Sequence, residues 1–519
     1  MAGTVCFATG AATGVAARVA ERAEFALLDD YRGSLFNMKS LITSLLAWGA
    51  LACLPVYAQY KPLPGEGPSA DAALTPQLLK QLEVSVPMTP QMRAVRNALA
   101  HQSIHSLTVN PDVENDTDAL FTHVIKDPGS ITDQKDSGRC WLFAGLNVFR
   151  PEVIDKYNMK DFVLSQAYDQ FYEDLETANL SLELAISLRN EPIHSRTMDT
   201  LLQNFTNDGG NWNYVRALIL KYGVVPESVM PDAYAASNTD EMDALLAARL
   251  RKAVAQIREA STNGADIAKL RDVKLAALAD VYKILEVCLG KPPTSFQWRY
   301  ETKDDDVRSL ETYTPQSFRK KFLGDLDDYV SFANYPGQPM HARLQWAWDR
   351  NMADQPDFDA VNIEMNEMSA MVLKSVLADR PVWFAANSSA EGDKDKGLWL
   401  QDIEDKSDLF GVDFSMSKAD TLAFDDGAPD HAMVITGVDV RHKVPVKWKV
   451  ENSWGTDKGD GGWFIIDSQW FDRHVYQVII QRKFVPPDLL ALTKQKAILL
   501  PPWDPFADGA KARSTKPAR

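Results

Sequence analysis

Gln134-Lys135-Asp136-Ser137-Gly138-Arg139-Cys140-Trp141-Leu142-Phe143-Ala144-Gly145-Leu146-Asn147-Val148-Phe149 passes from loop text to helix text at Gly138. Apolar residues recur at helical spacing after Cys140, which predicts a buried helix, and Pro151 limits how regularly it continues. A thiol at the start of a helix faces the positive end of the helix dipole, where an anion is favoured. Thiols attack as thiolates, so such a position suits a nucleophile. A lone cysteine before an apolar helix is more often a small buried hydrophobe. What else the chain carries decides between the two.

Two downstream motifs supply partners. Asp430-His431-Ala432 opens a run of strand text (Ala432-Met433-Val434-Ile435-Thr436-Gly437-Val438), which would hold an imidazole rigidly opposite the thiol. Glu451-Asn452-Ser453-Trp454-Gly455 follows a second strand, Val446–Val450, and an Asn side chain there can fix one ring nitrogen of His431. Six residues before the thiol, Gln134 offers a side-chain N–H that could stabilise a tetrahedral oxyanion together with the Cys140 N–H.

Taken in order, Gln134…Cys140-Trp141, Asp430-His431-Ala432 and Asn452-Ser453-Trp454-Gly455 resemble a papain-like cysteine peptidase. The longer blocks Gln134–Phe143, His431–Met433 and Val450–Gly455 are similar to the bleomycin hydrolase/aminopeptidase C branch. So are Leu164–Tyr168, Asp208-Gly209-Gly210-Asn211-Trp212, Lys221–Pro226, Pro381–Phe384 and Trp503-Asp504-Pro505. The resemblance implies an α+β papain-like fold, with a helical left half and a strand-rich right half. It implies a thiol-dependent aminopeptidase acting on peptides, with Cys140, His431 and Asn452 catalytic and Gln134 in the oxyanion hole. Gly209 and Gly210 would run along the substrate backbone, Trp454 would shield the His431–Asn452 contact, and Asp430 would tune local charge; Trp141 supports the thiol. It also implies a homo-oligomer, a hexamer with the active sites facing an inner chamber. In that branch the chain's own carboxy-terminal residues restrict cleavage to the amino end. Here the sequence runs about ten residues past the usual stop, so a papain-like endopeptidase stays open as an alternative, as does a catalytically silent scaffold or nucleic-acid-binding relative.

His431 lies 291 residues after Cys140, about 150 more than papain-like spacing requires. The excess includes two strong helix patterns, Glu241–Ala260 and Asp266–Leu289, so a helical insertion over about 235–330 is expected. The stripe Ile267, Leu270, Val273, Leu275, Leu278, Val281, Leu285 should face the core, with Cys288 a core residue. Trp448 and Trp463 are read as core, and His442 as solvated in a turn.

Composition bounds the rest. With 45% apolar and 24% charged residues the 519-residue chain is globular rather than disordered, and a net charge of −16 argues against nucleic acid as a partner. Four cysteines without C-x-x-C spacing and eight histidines without H-E-x-x-H give no metal site, and no cofactor is expected. Residues 38–58 read as a secretory signal peptide: Lys39, an apolar run from Leu41 to Val56, and a Val56-Tyr57-Ala58 site with cleavage before Gln59. Residues 1–37 then read as an upstream extension, 59–75 as a linker, 76–508 as the peptidase domain without a membrane span, and 509–519 as a mobile tail. Export to a periplasmic or extracellular space follows, with a cytoplasmic location as the alternative.

Overall fold

The computed structural model describes residues 64–65, 67–205 and 209–510. The readings on 1–37 and 38–58, Asp208 of the Gly-Gly block, and the tail after Ala510 lie outside the described residues. The described chain divides into two compact units. The smaller comprises the residues up to Pro87 with Glu191–Asp199; the larger comprises Met88–Asn190 and the residues from Thr200 onward, and holds every candidate site residue.

In the larger unit the loop before Cys140 gives way to helix α1 (Cys140–Asn147), and Pro151 sits in the first turn of α2 (Arg150–Tyr157), where its missing N–H costs nothing. Helices α3 (Gln166–Ser187) and α4 (Trp212–Tyr222) follow. Next come α5 (Asp240–Thr262) and α6 (Ile267–Leu289), which pack on each other and on α3. The chain then forms a small hairpin, β2 (Phe296–Trp298) with β3 (Glu311–Tyr313), that the sequence reading did not foresee.

One expectation for α6 fails. Its buried residues are Ala277, Val281, Leu285 and Leu289, an i, i+4 ridge, with Leu270 seven residues before it, whereas Leu275 is 66% exposed and Ile267 38%. Cys288 lies beside that ridge and is only half-buried, so it is not the core residue expected of it. A seven-residue apolar list spread over more than one face cannot all turn inward on a straight helix.

The carboxy-terminal half builds an eleven-stranded mixed sheet. Its path runs β13 (Ile498–Leu500), β5 (Arg343–Trp346), β6 (Asp359–Asn362), β4 (Tyr329–Ala333), β12 (Val475–Gln481), β7 (Val382–Ala386), β9 (His431–Arg441), β10 (Val444–Glu451), β11 (Trp463–Asp467) and β8 (Leu398–Trp399). Short β1 (His123–Val124) joins β9 beyond β7. Strand β9 is central and buried on both faces over nine residues, which is why it reads as an unbroken apolar run rather than an alternation. Helix α7 (Met365–Leu377) covers one face through Met368, Met371, Val372 and Val376. Trp448 is fully buried as expected, while Trp463 is half-buried with the Lys449 ammonium 4.5 Å from its ring centroid. His442 and Lys443 form the exposed β9–β10 turn with φ of 52° and 69°. No described helix is long and apolar enough to cross a membrane.

Candidate active site

The site lies where α1 packs against β9. Two links fix that approach. The Trp383 indole on β7 donates to the Trp141 carbonyl at 3.2 Å, tying the first turn of α1 to the strand that pairs Ala386 with His431. On the other side, the Gln134 N–H donates to the Ser453 carbonyl at 2.8 Å and Asp133 bridges to Trp454, tying the loop before Cys140 to the Asn452-Ser453-Trp454 turn. The thiol is thus carried between the segments that bear its two proposed partners.

Cys140 is the first residue of α1, 5% exposed, with Sγ 3.9 Å from the Gly138 carbonyl oxygen. Its N–H is one of those that no intrahelical carbonyl accepts. The residue before it has no capping side chain; Arg139 instead holds the helix start by a bidentate pair to Asp232 (2.7 and 3.2 Å) and an Nε–H bond to Ser137 Oγ at 3.0 Å.

His431 opens β9 and is buried. Its Nε2 lies 2.8 Å from Asn452 Oδ1, and the same oxygen accepts the Ser453 backbone N–H at 2.8 Å. A backbone N–H only donates, so this bond fixes which amide atom faces the ring. Nε2 therefore carries the proton, and Nδ1 is the nitrogen left for the thiol. The Trp454 ring stacks on the imidazole at 4.7 Å and 26°, backed by Trp399 and Phe464. Burial pulls the imidazole down to about 4, against the opposing Asn452 bond and Asp430 charge, with Lys394 lowering it further. Asp430 itself accepts the Ser388 and Ser389 N–H groups at 2.6 and 3.1 Å, anchoring the loop after β7.

Gln134 is buried and held at both ends of its amide. Oε1 accepts the Ser453 hydroxyl at 2.7 Å, and one Nε2 hydrogen goes to the Ser137 carbonyl at 2.6 Å. A carboxamide has two N–H donors, so the second is available for an oxyanion. Ser453, which the sequence reading left without a role, is what prevents the amide from turning over. Ser453→Ala should lower kcat about tenfold with little change in KM, since an oxyanion donor acts mainly in the transition state; steady-state kinetics with the folded variant checks this.

Gly210 lies under Trp141: a Cβ there would meet the indole at 2.6 Å and Tyr214 at 2.9 Å. The adjoining Asn211 amide donates to both Asp349 carboxylate oxygens at 3.0 Å, and the Tyr214 hydroxyl donates to Asp349 Oδ1 at 2.7 Å. Gly209 is likewise buried. The described residues contain no group of three or more His, Cys, Asp or Glu side chains placed to hold a metal.

A profile of the Peptidase C1-like family matches residues 73–507. The chain is 34% identical to aminopeptidase C of Streptococcus thermophilus over 418 residues, covering 80% of this chain and 94% of that one. It is 32% identical to aminopeptidase G of Lactobacillus delbrueckii subsp. lactis, over 84% and 99%. The crystal structure of PepW from Lactobacillus rhamnosis HN001 superimposes with a TM-score of 0.82 at 35% identity, over 84% of this chain and 99% of that one. The chain belongs to the Peptidase C1-like family, as a papain-like cysteine peptidase of the bleomycin hydrolase/aminopeptidase C type.

Proposed function

We propose that this protein is a thiol-dependent aminopeptidase in which Cys140, His431 and Asn452 carry the chemistry. The observation that most supports this reading is the 2.8 Å His431–Asn452 bond, sealed under Trp454 and tied through Ser453 and Gln134 to the loop before Cys140. With Nε2–H committed to Asn452, His431 Nδ1 takes the thiol proton. Because burial disfavours an isolated imidazolium, the positive charge is held best opposite the thiolate, and the proton stays within the pair. Cys140 Sγ attacks the scissile carbonyl, and the oxyanion is received by the Cys140 N–H and the second Gln134 N–H. His431 then protonates the leaving amine as the C–N bond breaks. A water attacks the thioester, gives its proton to His431, and releases the acyl group from sulfur.

The described carboxy-terminal segment is firmly seated. Asp504 accepts the Trp346 indole N–H at 3.0 Å and the Tyr335 hydroxyl at 3.1 Å, and Phe506 stacks on both rings. Restriction to the amino end therefore has a fixed base from which to act. Matched peptides with free and acetylated amino termini test it: the free amine should be favoured at least about 100-fold, a difference of about 3 kcal/mol. Equal cleavage, or cleavage within the acetylated chain, selects the endopeptidase reading.

Homo-oligomerisation belongs to the same reading. In the smaller unit, helix Pro76–Ser85 buries none of its residues and leaves Leu79, Leu82 and Val84 exposed, as a face awaiting another copy would. So does export after cleavage before Gln59. Sedimentation and mass analysis of the purified mature protein test both.

A further inference from the structure

The turn between β7 and β8 is built to be stiff. Asp393 and Leu398 exchange backbone hydrogen bonds of 2.7 and 2.9 Å, and Asp393 Oδ1 accepts the N–H groups of Asp395 and Lys396, each at 3.0 Å. The turn is pinned to its surroundings by Ile465 N–H to the Gly397 carbonyl at 2.8 Å and Gly459 N–H to the Asp395 carbonyl at 3.0 Å. Its charged side chains are used up with one exception. Lys396 pairs with Glu114 and Asp395 with Lys458. Lys394 has no ion pair or hydrogen bond among the described residues. It is half-buried, and its ammonium lies 5.7 Å from the centroid of the Trp454 ring.

That placement is costly for the chemistry. A cation beside Trp454 opposes the imidazolium that His431 must become. The next nearby charge, Asp430, is turned to the Ser388 and Ser389 amides, and Glu391 is engaged with Arg473 and His474. A cation without an ion pair, set beside Trp454 at this spot, is suited to something negative that arrives with the substrate.

The geometry points to Lys394 as a carboxylate-recognising residue on the leaving-group side of the cleft, favouring peptides whose carboxylate lies one or two residues beyond the scissile bond. This deepens, and rests on, the aminopeptidase reading. Trp383 on β7 holds Trp141, which packs on Gly210, whereas Trp454 stacks on His431 and carries Lys394 on the far side of β9, toward β10, β11 and β8. The acyl and leaving portions of a peptide would separate the same way. Laid end to end, the Lys394–Trp454 and Trp454–His431 distances put the ammonium no farther than about 10 Å from the imidazole. The leaving nitrogen must come within about 3 Å of that ring. Each further residue adds about 3.5 Å. A carboxylate one or two residues on therefore falls within reach. Its arrival also neutralises the charge that opposes protonation of His431, so binding and acid catalysis gain together.

The test compares kcat/KM for a dipeptide with its carboxy-terminal amide, using wild type, Lys394→Met, Lys394→Arg and Lys394→Glu. Wild type should prefer the free acid about tenfold, Lys394→Arg should keep that preference, and Lys394→Met should bring the ratio close to one. Lys394→Glu should invert the ratio, and added salt should shrink the wild-type preference. If all four proteins cleave both peptides with one unchanged ratio, this inference fails while the aminopeptidase reading stands. If wild type cleaves neither peptide yet cuts acetylated longer chains, both fail.

Discussion

Cys140→Ala is expected to lower kcat/KM for peptide hydrolysis by at least about 10⁴-fold while leaving the fold unchanged. The chemistry is removed outright, because nothing else at the start of α1 can form the acyl bond. The structure is spared, because a small buried thiol gives way to a slightly smaller apolar group in a site already closed by Trp141 and the Trp383 link. Circular dichroism and the thermal midpoint should match wild type. In the proposed mechanism Cys140, His431 and Asn452 act as a unit, so Cys140→Ala/His431→Gln should be no slower than Cys140→Ala alone. Iodoacetamide supplies a second readout. Cys140, at a helix amino terminus, should react selectively, whereas burial pushes the Cys288 thiol up and leaves it the poorer nucleophile. Full turnover by Cys140→Ala, or preferential labelling of Cys288, would overturn the assignment.

What the sequence could reveal about this site follows from range. Cys140 at a helix start, His431 at a strand start and Asn452 just past a strand end are each local patterns, and the residues between them spell α+β. Strand β9 was legible because a strand buried on both faces is simply an apolar run. Strands β4, β5 and β6 were not, since four or five residues such as Arg-Leu-Gln-Trp carry too little pattern to separate from loop. The contacts that tune the site were invisible for a different reason. Ser453 holds Gln134 across 319 residues, and Asp349 holds Asn211 across 138. A hydrogen bond of that span leaves no periodicity to read. Gly210 shows the limit from the other side: its glycine was expected for approach to substrate, and the space it vacates is filled first by Trp141 and Tyr214. On α6 the helix was right and its inward face only partly so, because Ala277 and Leu289, not Leu275, complete the ridge.

The second large effect concerns a buried charge that no motif announced. Arg150, at the start of α2, donates from Nη2 to Glu451 Oε1 at 2.6 Å and from Nη1 to the Ser130 carbonyl at 2.6 Å, and the Asn147 amide donates to the same Glu451 oxygen at 2.8 Å. Arg150 is fully buried and Glu451 nearly so. Glu451 immediately precedes Asn452, and Asn147 ends the helix that Cys140 begins, so this pair clamps the two sides of the proposed catalytic site together. Burial raises the Glu451 carboxyl above its usual range, with Arg150 and Asn147 pulling it back. The two ways of breaking the pair should therefore differ. Glu451→Gln strands a guanidinium that cannot give up its proton, and should cost about 3–5 kcal/mol of stability, a cost that does not grow as pH rises. Arg150→Met strands a carboxyl, which can escape by taking a proton, and should cost less below its raised pKa than at neutral pH. The sign is fixed by linkage: a carboxyl that holds its proton more tightly folded than unfolded adds stability at low pH and loses it as pH rises. Chemical denaturation of both variants from pH 5 to 8 reads this directly. The Arg150→Met deficit should grow with pH as its stranded carboxyl ionises, the Glu451→Gln deficit should not grow, because the wild-type carboxyl it replaces itself loses stability as pH rises, and equal, pH-independent deficits would overturn this account of the pair.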